Sequence, residues 1–146
     1  MDFNALCLGC RTYRRFERKE IPEEILTELL ENARVANSAM NGQVLRYVLV
    51  KSQETVKKLQ PYFHFAAALP KELGQPKEGE QPTAFIILCT EGRESPWTDM
   101  DIGIAVRTMS LNAYNHGVGS CILGNVEFES GSSLMKHPDA LYEVCA

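Results

Sequence analysis

The sequence predicts a single domain that mixes helices with a few strands around one long buried helix. Three observations carry this. Residues 99–124, DMDIGIAVRTMSLNAYNHGVGSCILG, place Ile102, Ala105, Val106, Met109 and Ala113 at three- and four-residue steps, the period of one helical face. Ile104 and Leu111 add apolar residues on another side, which makes this a central helix rather than a surface one. Two runs of strand formers stand apart from it, VLRYVLVK at 44–51 and AFIILCT at 84–90. Finally, the 146 residues are 45% hydrophobic, which is enough for one core without help from disulfides.

Each further element follows from local chemistry. Residues 2–9 predict a short helix with Phe3, Leu6 and Cys7 on one side, Asp2 as its cap and Gly9 weakening its end. The next helix opens at Ile21-Pro22-Glu23-Glu24, because proline is tolerated in a first turn and acids there favour the dipole. Its apolar stripe is Ile25, Leu26, Leu29, Leu30 and Ala33, running to about Val35. The strand at 44–51 reads as buried on at least one face, and a helix over 53–59 stops at Pro61. Phe63, Phe65 and the alanines at 66–68 predict one helical stretch, and the charged, Pro- and Gly-bearing residues 70–82 a surface loop. The strand at 84–90, apolar throughout, reads as central, and 91–97 as a linker. Gly117 and Gly119 stop the long helix and turn the chain, leading into the short apolar segment 120–124. Two strands are few for a stable sheet, so Ile122, Leu123 and the apolar run 141–145 are candidates for more.

Composition excludes several function classes. The net charge is −4, with no basic block interleaved with aromatics, so nucleic acid is not an expected partner. The longest apolar runs are too short for a bilayer, and the N-terminus lacks the apolar stretch of a secretory signal, so a cytoplasmic protein is expected. Cys7 and Cys10 form a lone CxxC, whereas a zinc site needs a second ligand pair, which the scattered His64, His116 and His137 do not supply. Two reduced thiols on an N-terminal helix and no metal are expected; a redox CxxC is the other reading, without the βαβ context expected for one.

Two segments carry donors. Residues 10–16, CRTYRRF, hold three arginines and a threonine in five positions, which suits a phosphate; the same residues also read as a solvated basic connector. Residues 36–43, ANSAMNGQ, form a polar loop of small residues that can approach a planar ligand, or an ordinary helix-to-strand turn. No Ser-His-Asp or Cys-His set is present. Asp99 and Asp101 read as acids of a helix N-terminus, His116 as a dipole partner at its other end, and Trp97 and Tyr114 as packing.

Three segments in order resemble the nitroreductase family of FMN-dependent oxidoreductases. CRTYRRF is similar to its R-R-S-x-R-x-F segment, ANSAMNGQVLRYVLV at 36–50 to its A-P-S-x-x-N-x-Q-P-W-x-F loop and strand, and 101–124 to its central helix and G-L-G-S-C turn. The chain departs from the pattern at Cys10, where the family usually has a phosphate-holding arginine, and at Asn37 and Val44-Leu45. The resemblance implies an α+β fold: one domain over 1–146, a small mixed sheet with helices on both sides, paired into a homodimer with FMN at the interface. The family's last strand and C-terminal extension have no room before Ala146. By the resemblance, Arg11 and Thr12 hold the phosphate and ribityl chain, and Arg14 lies near the pyrimidine end of the ring. Ser38 and Asn41, from this subunit or its partner, bond the ring or ribityl group. Cys121, Ile122, Leu123 and Gly124 line the ring by backbone contact. A hydride then passes from NAD(P)H through the flavin to a small electron-poor acceptor, with no catalytic side chain. Two alternatives stand beside this: a flavin-free dimerisation or ligand-binding module that kept the fold, and another flavin activity such as reductive dehalogenation.

Overall fold

The structure is a computed structural model that describes residues 2–66, 68–90, 95–124 and a strand at 142–145. The helices are α1 (Phe3–Gly9), α2 (Glu23–Arg34), α3 (Gln53–Leu59), the single turn α4 (Lys71–Gly74) and α5 (Thr98–Asn115). The strands are β1 (Leu45–Val50), β2 (Phe85–Thr90), β3 (Cys121–Leu123) and β4 (Tyr142–Cys145). They form one sheet in the order β1-β2-β4-β3, so β2 is interior, as its apolar run requires. Among the described residues the three strand pairings are antiparallel, and a parallel element of the expected mixed sheet is an isolated bridge between Thr12 and Ser120.

Alternation along β2 divides the core. Ile86 and Leu88 face α2 and α5, meeting Leu29, Ala33, Ile102, Ala105, Val106, Met109 and Ala113. All five residues of the expected helical face of α5 are therefore in the core, while Ile104 and Leu111 are half-buried. Phe85 and Ile87 face the other way, onto Val56 and Leu59 of α3, Phe63, Phe65, Cys121 and Leu123. Helices cover both faces of the sheet, which is the α+β arrangement expected.

The caps explain the boundaries. Asp2 accepts from the Asn4 and Ala5 amides at 2.8 and 3.2 Å and starts α1. At the end of α5, Gly117 takes φ +75°, the Val118 amide donates to Ala113 O at 2.9 Å and the Gly117 amide to Tyr114 O at 3.0 Å. This is the Schellman arrangement, with Val118 packed back on the core that holds Ala113.

Two expectations are corrected between β1 and β2. Phe63 and Phe65 are not helical: Phe63 is extended (φ −107°, ψ 133°), and both rings are buried with half-buried His64 between them. A two-residue step puts both rings on one side, where Phe63 meets Phe85 at 4.7 Å between centroids and Phe65 meets Phe16 at 6.4 Å. The stretch 70–82, expected as loop, contains α4 and buries Pro82. Trp97, expected to pack, is 51% exposed at the start of α5. The expectations for 91–94 and for 125–141 lie outside the described residues.

Candidate functional site

The donor-rich segment 10–16 is fixed at both ends. Its first residue, Cys10, is buried against α5: the thiol donates to Ser110 O at 3.5 Å and accepts from Arg107 Nη1 at 3.5 Å. Its last, Phe16, packs edge-on against Phe65 and donates its amide to Glu80 O at 2.9 Å. Between them Thr12 bridges Ser120, and the Tyr13 amide donates to Ser120 O at 2.9 Å. The Tyr13 side chain lies over Gly119 so closely that a Cβ there would stand 2.9 Å from the ring. Glycine at 119 thus permits the backbone approach that joins this segment to the bend before β3.

Arg11 Nη1 donates to Cys10 O at 3.0 Å, and Arg14 Nε donates to Phe65 O at 2.9 Å. Arg14 is close enough to the Cys121 thiol to lower its pKa somewhat, but burial dominates and pushes the thiol up to about 11. Cys121 is therefore a neutral packing thiol at physiological pH rather than a nucleophile. Arg11, Thr12 and Arg14 are exposed. Among the described residues neither Arg11, Arg14 nor Arg107 has a carboxylate partner, whereas Arg15 pairs with Glu80 and Arg34 with Glu31. Ile122 and Gly124 are exposed, and Cys121 and Leu123 point into the core.

The loop at 38–43 is a second feature, at the other end of α5. Met40, Asn41 and Gln43 all have left-handed backbone, at φ 53°, 54° and 47°. Such geometry is costly for residues other than glycine and persists only where neighbours enforce it. The anchor is Asp101, 4% exposed, whose Oδ1 accepts from the Ala39 amide at 2.9 Å. Ser38 Oγ accepts from the Gln43 amide at 3.2 Å and closes the loop on itself. Beside it lies a cleft of about 280 Å³, lined among others by Asn37, Ser38, Tyr47 and Asp101. The Tyr47 hydroxyl donates to Ala33 O at 3.3 Å, and its pKa is raised first by burial and then by the Asp101 charge.

Of the residues picked from sequence, Arg11, Thr12, Arg14 and the 121–124 segment thus come together, and Ser38 and Asn41 stand apart from them. The anchors Asp101 and Ser110 are nine residues apart on α5, about 14 Å along its axis at the helical rise. Asp101 and Arg107 carry contacts that sequence reasoning missed. Arg107 had one visible signal, as the single cation of α5. Among the described residues no cluster of His, Cys, Asp or Glu could hold a metal, and no helix is long and apolar enough to cross a membrane.

Comparison with known proteins points one way. A family model described as Nitroreductase family matches residues 9–145. A candidate NADH dehydrogenase/NAD(P)H nitroreductase from Methanothermobacter thermautotrophicus is 26% identical over 117 residues, covering 78% of this chain. The chain spans only 56% of that relative's length. The crystal structure of a nitroreductase family protein from Clostridium novyi NT superposes with a TM-score of 0.79 over 99% of this chain and 83% of that one, at 17% identity. A nitroreductase with bound FMN from Bacteroides fragilis superposes at 0.65 over 84% and 69%, at 24% identity. At these identities the superpositions establish the fold.

Proposed function

This chain belongs to the nitroreductase family, and from that membership we propose that it is an FMN-dependent oxidoreductase acting with NAD(P)H on a small electron-poor molecule such as a nitroaromatic or quinone. The observation that carries the reading is the junction of segment 10–16 with the bend at Ser120. It sets two guanidinium groups that have no carboxylate partner among the described residues, Arg11 and Arg14, and the Thr12 hydroxyl beside the backbone leading into β3.

The donor set fits the cofactor. Fixed guanidinium forks and a hydroxyl match a phosphomonoester, and a cation near the ring favours the negative charge of reduced flavin. Arg11 and Thr12 would hold the phosphate and ribityl chain, Arg14 the pyrimidine end, and the backbone of 121–124 the ring edge. The chemistry FMN supplies when bound is two-electron transfer, from NAD(P)H in one half-reaction to the acceptor in the other.

Ser38 and Asn41 are assigned to the site from a second copy of the chain. Apolar residues exposed around that end of α5 support a homodimer: Met40 at 88%, Met100 at 58% and Trp97. The net charge of −4 does not favour a nucleic-acid partner, and a cytoplasmic location is the accompanying reading.

The test is direct. Purified protein should be yellow or take up FMN, with an absorbance that NADH or NADPH bleaches, and its mass in solution should be that of two chains. Arg14→Ala should weaken FMN binding or lower the flavin's potential; unchanged values of both would remove the role given to Arg14. One observation favours the second reading, a flavin-free module of the same fold. The residue preceding Arg11 is a buried thiol held to α5, not a cation. Protein that binds no FMN in titration would select that reading.

A further inference from the structure

Positions 107, 110 and 114 of α5 lie at helical spacing on one face, and that face meets the end of α1. Tyr114 packs so tightly on Gly9 that a Cβ there would strike its ring, Ser110 O accepts from the Cys10 thiol, and Arg107 Nη1 donates to the same sulfur. Arg11 Nη1 in turn bonds Cys10 O at 3.0 Å. Two guanidinium groups therefore flank one residue, one tied to its carbonyl and one to its side chain.

Neither is spent on that contact. A guanidinium carries five N–H donors, and a thiol sulfur is a weak acceptor. Arg107 is exposed, and among the described residues its single hydrogen bond is to Cys10. Two cations held against one residue repel unless an anion lies between or beside them. A phosphomonoester has the charge and the oxygen geometry to bridge two forks.

We propose that Arg107 is a phosphate-binding residue that works with Arg11 on the phosphomonoester of the flavin. This rests on the reading that the chain binds FMN. It makes Cys10 the post between two arginines: its buried thiol holds the Arg107 guanidinium next to the segment that carries Arg11 and Thr12. A cation contributed by α5 thereby stands where the segment itself supplies a thiol.

The experiment is a paired titration of FMN and riboflavin, read by flavin fluorescence, into the wild-type protein and into Arg107→Ala, Arg107→Gln and Arg107→Lys. Arg107 is exposed, so the variants should fold; circular dichroism and melting temperature check this. The alanine and glutamine variants should bind FMN about tenfold to a hundredfold more weakly, the range for losing a charge-assisted hydrogen bond, with riboflavin binding unchanged. Lysine should restore part of the loss, and the salt dependence of FMN binding should flatten in the alanine variant. Equal FMN affinity in wild type and Arg107→Ala would overturn the proposal while leaving the flavin reading intact. So would an equal loss for FMN and riboflavin, or a raised KM for NADPH but not NADH with FMN affinity kept. Wild-type protein that binds neither flavin would overturn the flavin reading and the proposal with it.

Discussion

The carboxyl end of α5 is tied into the fold from several directions, and its amino end meets the 38–43 loop through one hydrogen bond among those described. At the carboxyl end Gly117 completes a Schellman cap, Cys10 and Tyr114 dock α1, Thr12 and Tyr13 join Ser120, and Glu28 reaches over from α2. At the amino end the Asp101 carboxylate holds the Ala39 amide, and beyond it the loop adopts left-handed backbone at three residues. The first region is finished within one chain. The second is shaped but exposed, as expected of a surface completed by something else, whether a ligand or a second copy. Under the proposed function, the half of the site assigned to the phosphate is built within one subunit, and the half assigned to Ser38 and Asn41 comes from a second copy.

The sharpest way to break this contrast is at Asp101. Asp101→Ala should release the loop: hydrogen exchange at the Ala39 amide should quicken by about tenfold to a hundredfold, the equivalent of a lost bond of about 1–3 kcal/mol. FMN affinity should fall with it. Asp101→Asn keeps a carbonyl acceptor and should recover most of the protection. Unchanged exchange in the alanine variant would mean that the loop holds its own shape.

The complementary change at the well-tied end is Gly119→Ala. The new Cβ would press on Tyr13, and its ring or the segment must move, at a cost of about 1–3 kcal/mol for overpacking. The other ties should keep segment 10–16 in place, so the expected outcome is a lower melting temperature with only a several-fold loss of FMN binding. Loss of binding beyond a hundredfold without loss of stability would show that the Tyr13–Gly119 contact alone aligns the arginines.

How much of this was legible depended on whether a local pattern has one cause. The buried face of α5 was readable because five apolar residues at helical spacing rarely occur unless a helix buries one side. The strand β2 was readable because an apolar run of that length belongs inside a sheet. The 63–65 stretch misled because alanines after two aromatics satisfy a helical pattern as well as a strand-like one. Only the apolar layer of Phe85 and Phe16 decides for a two-residue step. Arg11, Thr12 and Arg14 were visible as a dense donor set, yet their junction with Ser120, more than a hundred residues away, was not a local property. Asp101 was explained too well: an acid in the first turn of a helix already has a reason to be there, which hid its hold on the loop. Arg107 was hidden in the same way, as one polar residue on a helix expected to have an outer side.

The smallest expected effect tests whether the carboxyl end is tied redundantly. Glu28 of α2 accepts from Asn112 Nδ2 at 2.9 Å, and its other oxygen lies 3.2 Å from His116 Nε2. The hydrogen bond from Asn112 first, and that from His116 next, hold its carboxyl below the ordinary value, against some desolvation. A carboxyl depressed in the folded state contributes stability that is fully present above its unfolded pKa, near 4.5, and is lost as pH falls through the lower folded value. Glu28→Gln should therefore melt slightly below wild type at neutral pH, and the two melting curves should converge as the pH drops below that of a free carboxyl. Because the group is exposed and the helix end has other ties, the gap should be small at every pH, and FMN affinity should not change. A gap that persists unchanged into strong acid would mean that the Glu28 charge is not what Asn112 and His116 respond to. A large gap, or a loss of FMN binding, would make this end of α5 as dependent on one contact as the other end is on Asp101, and the contrast between them would fail.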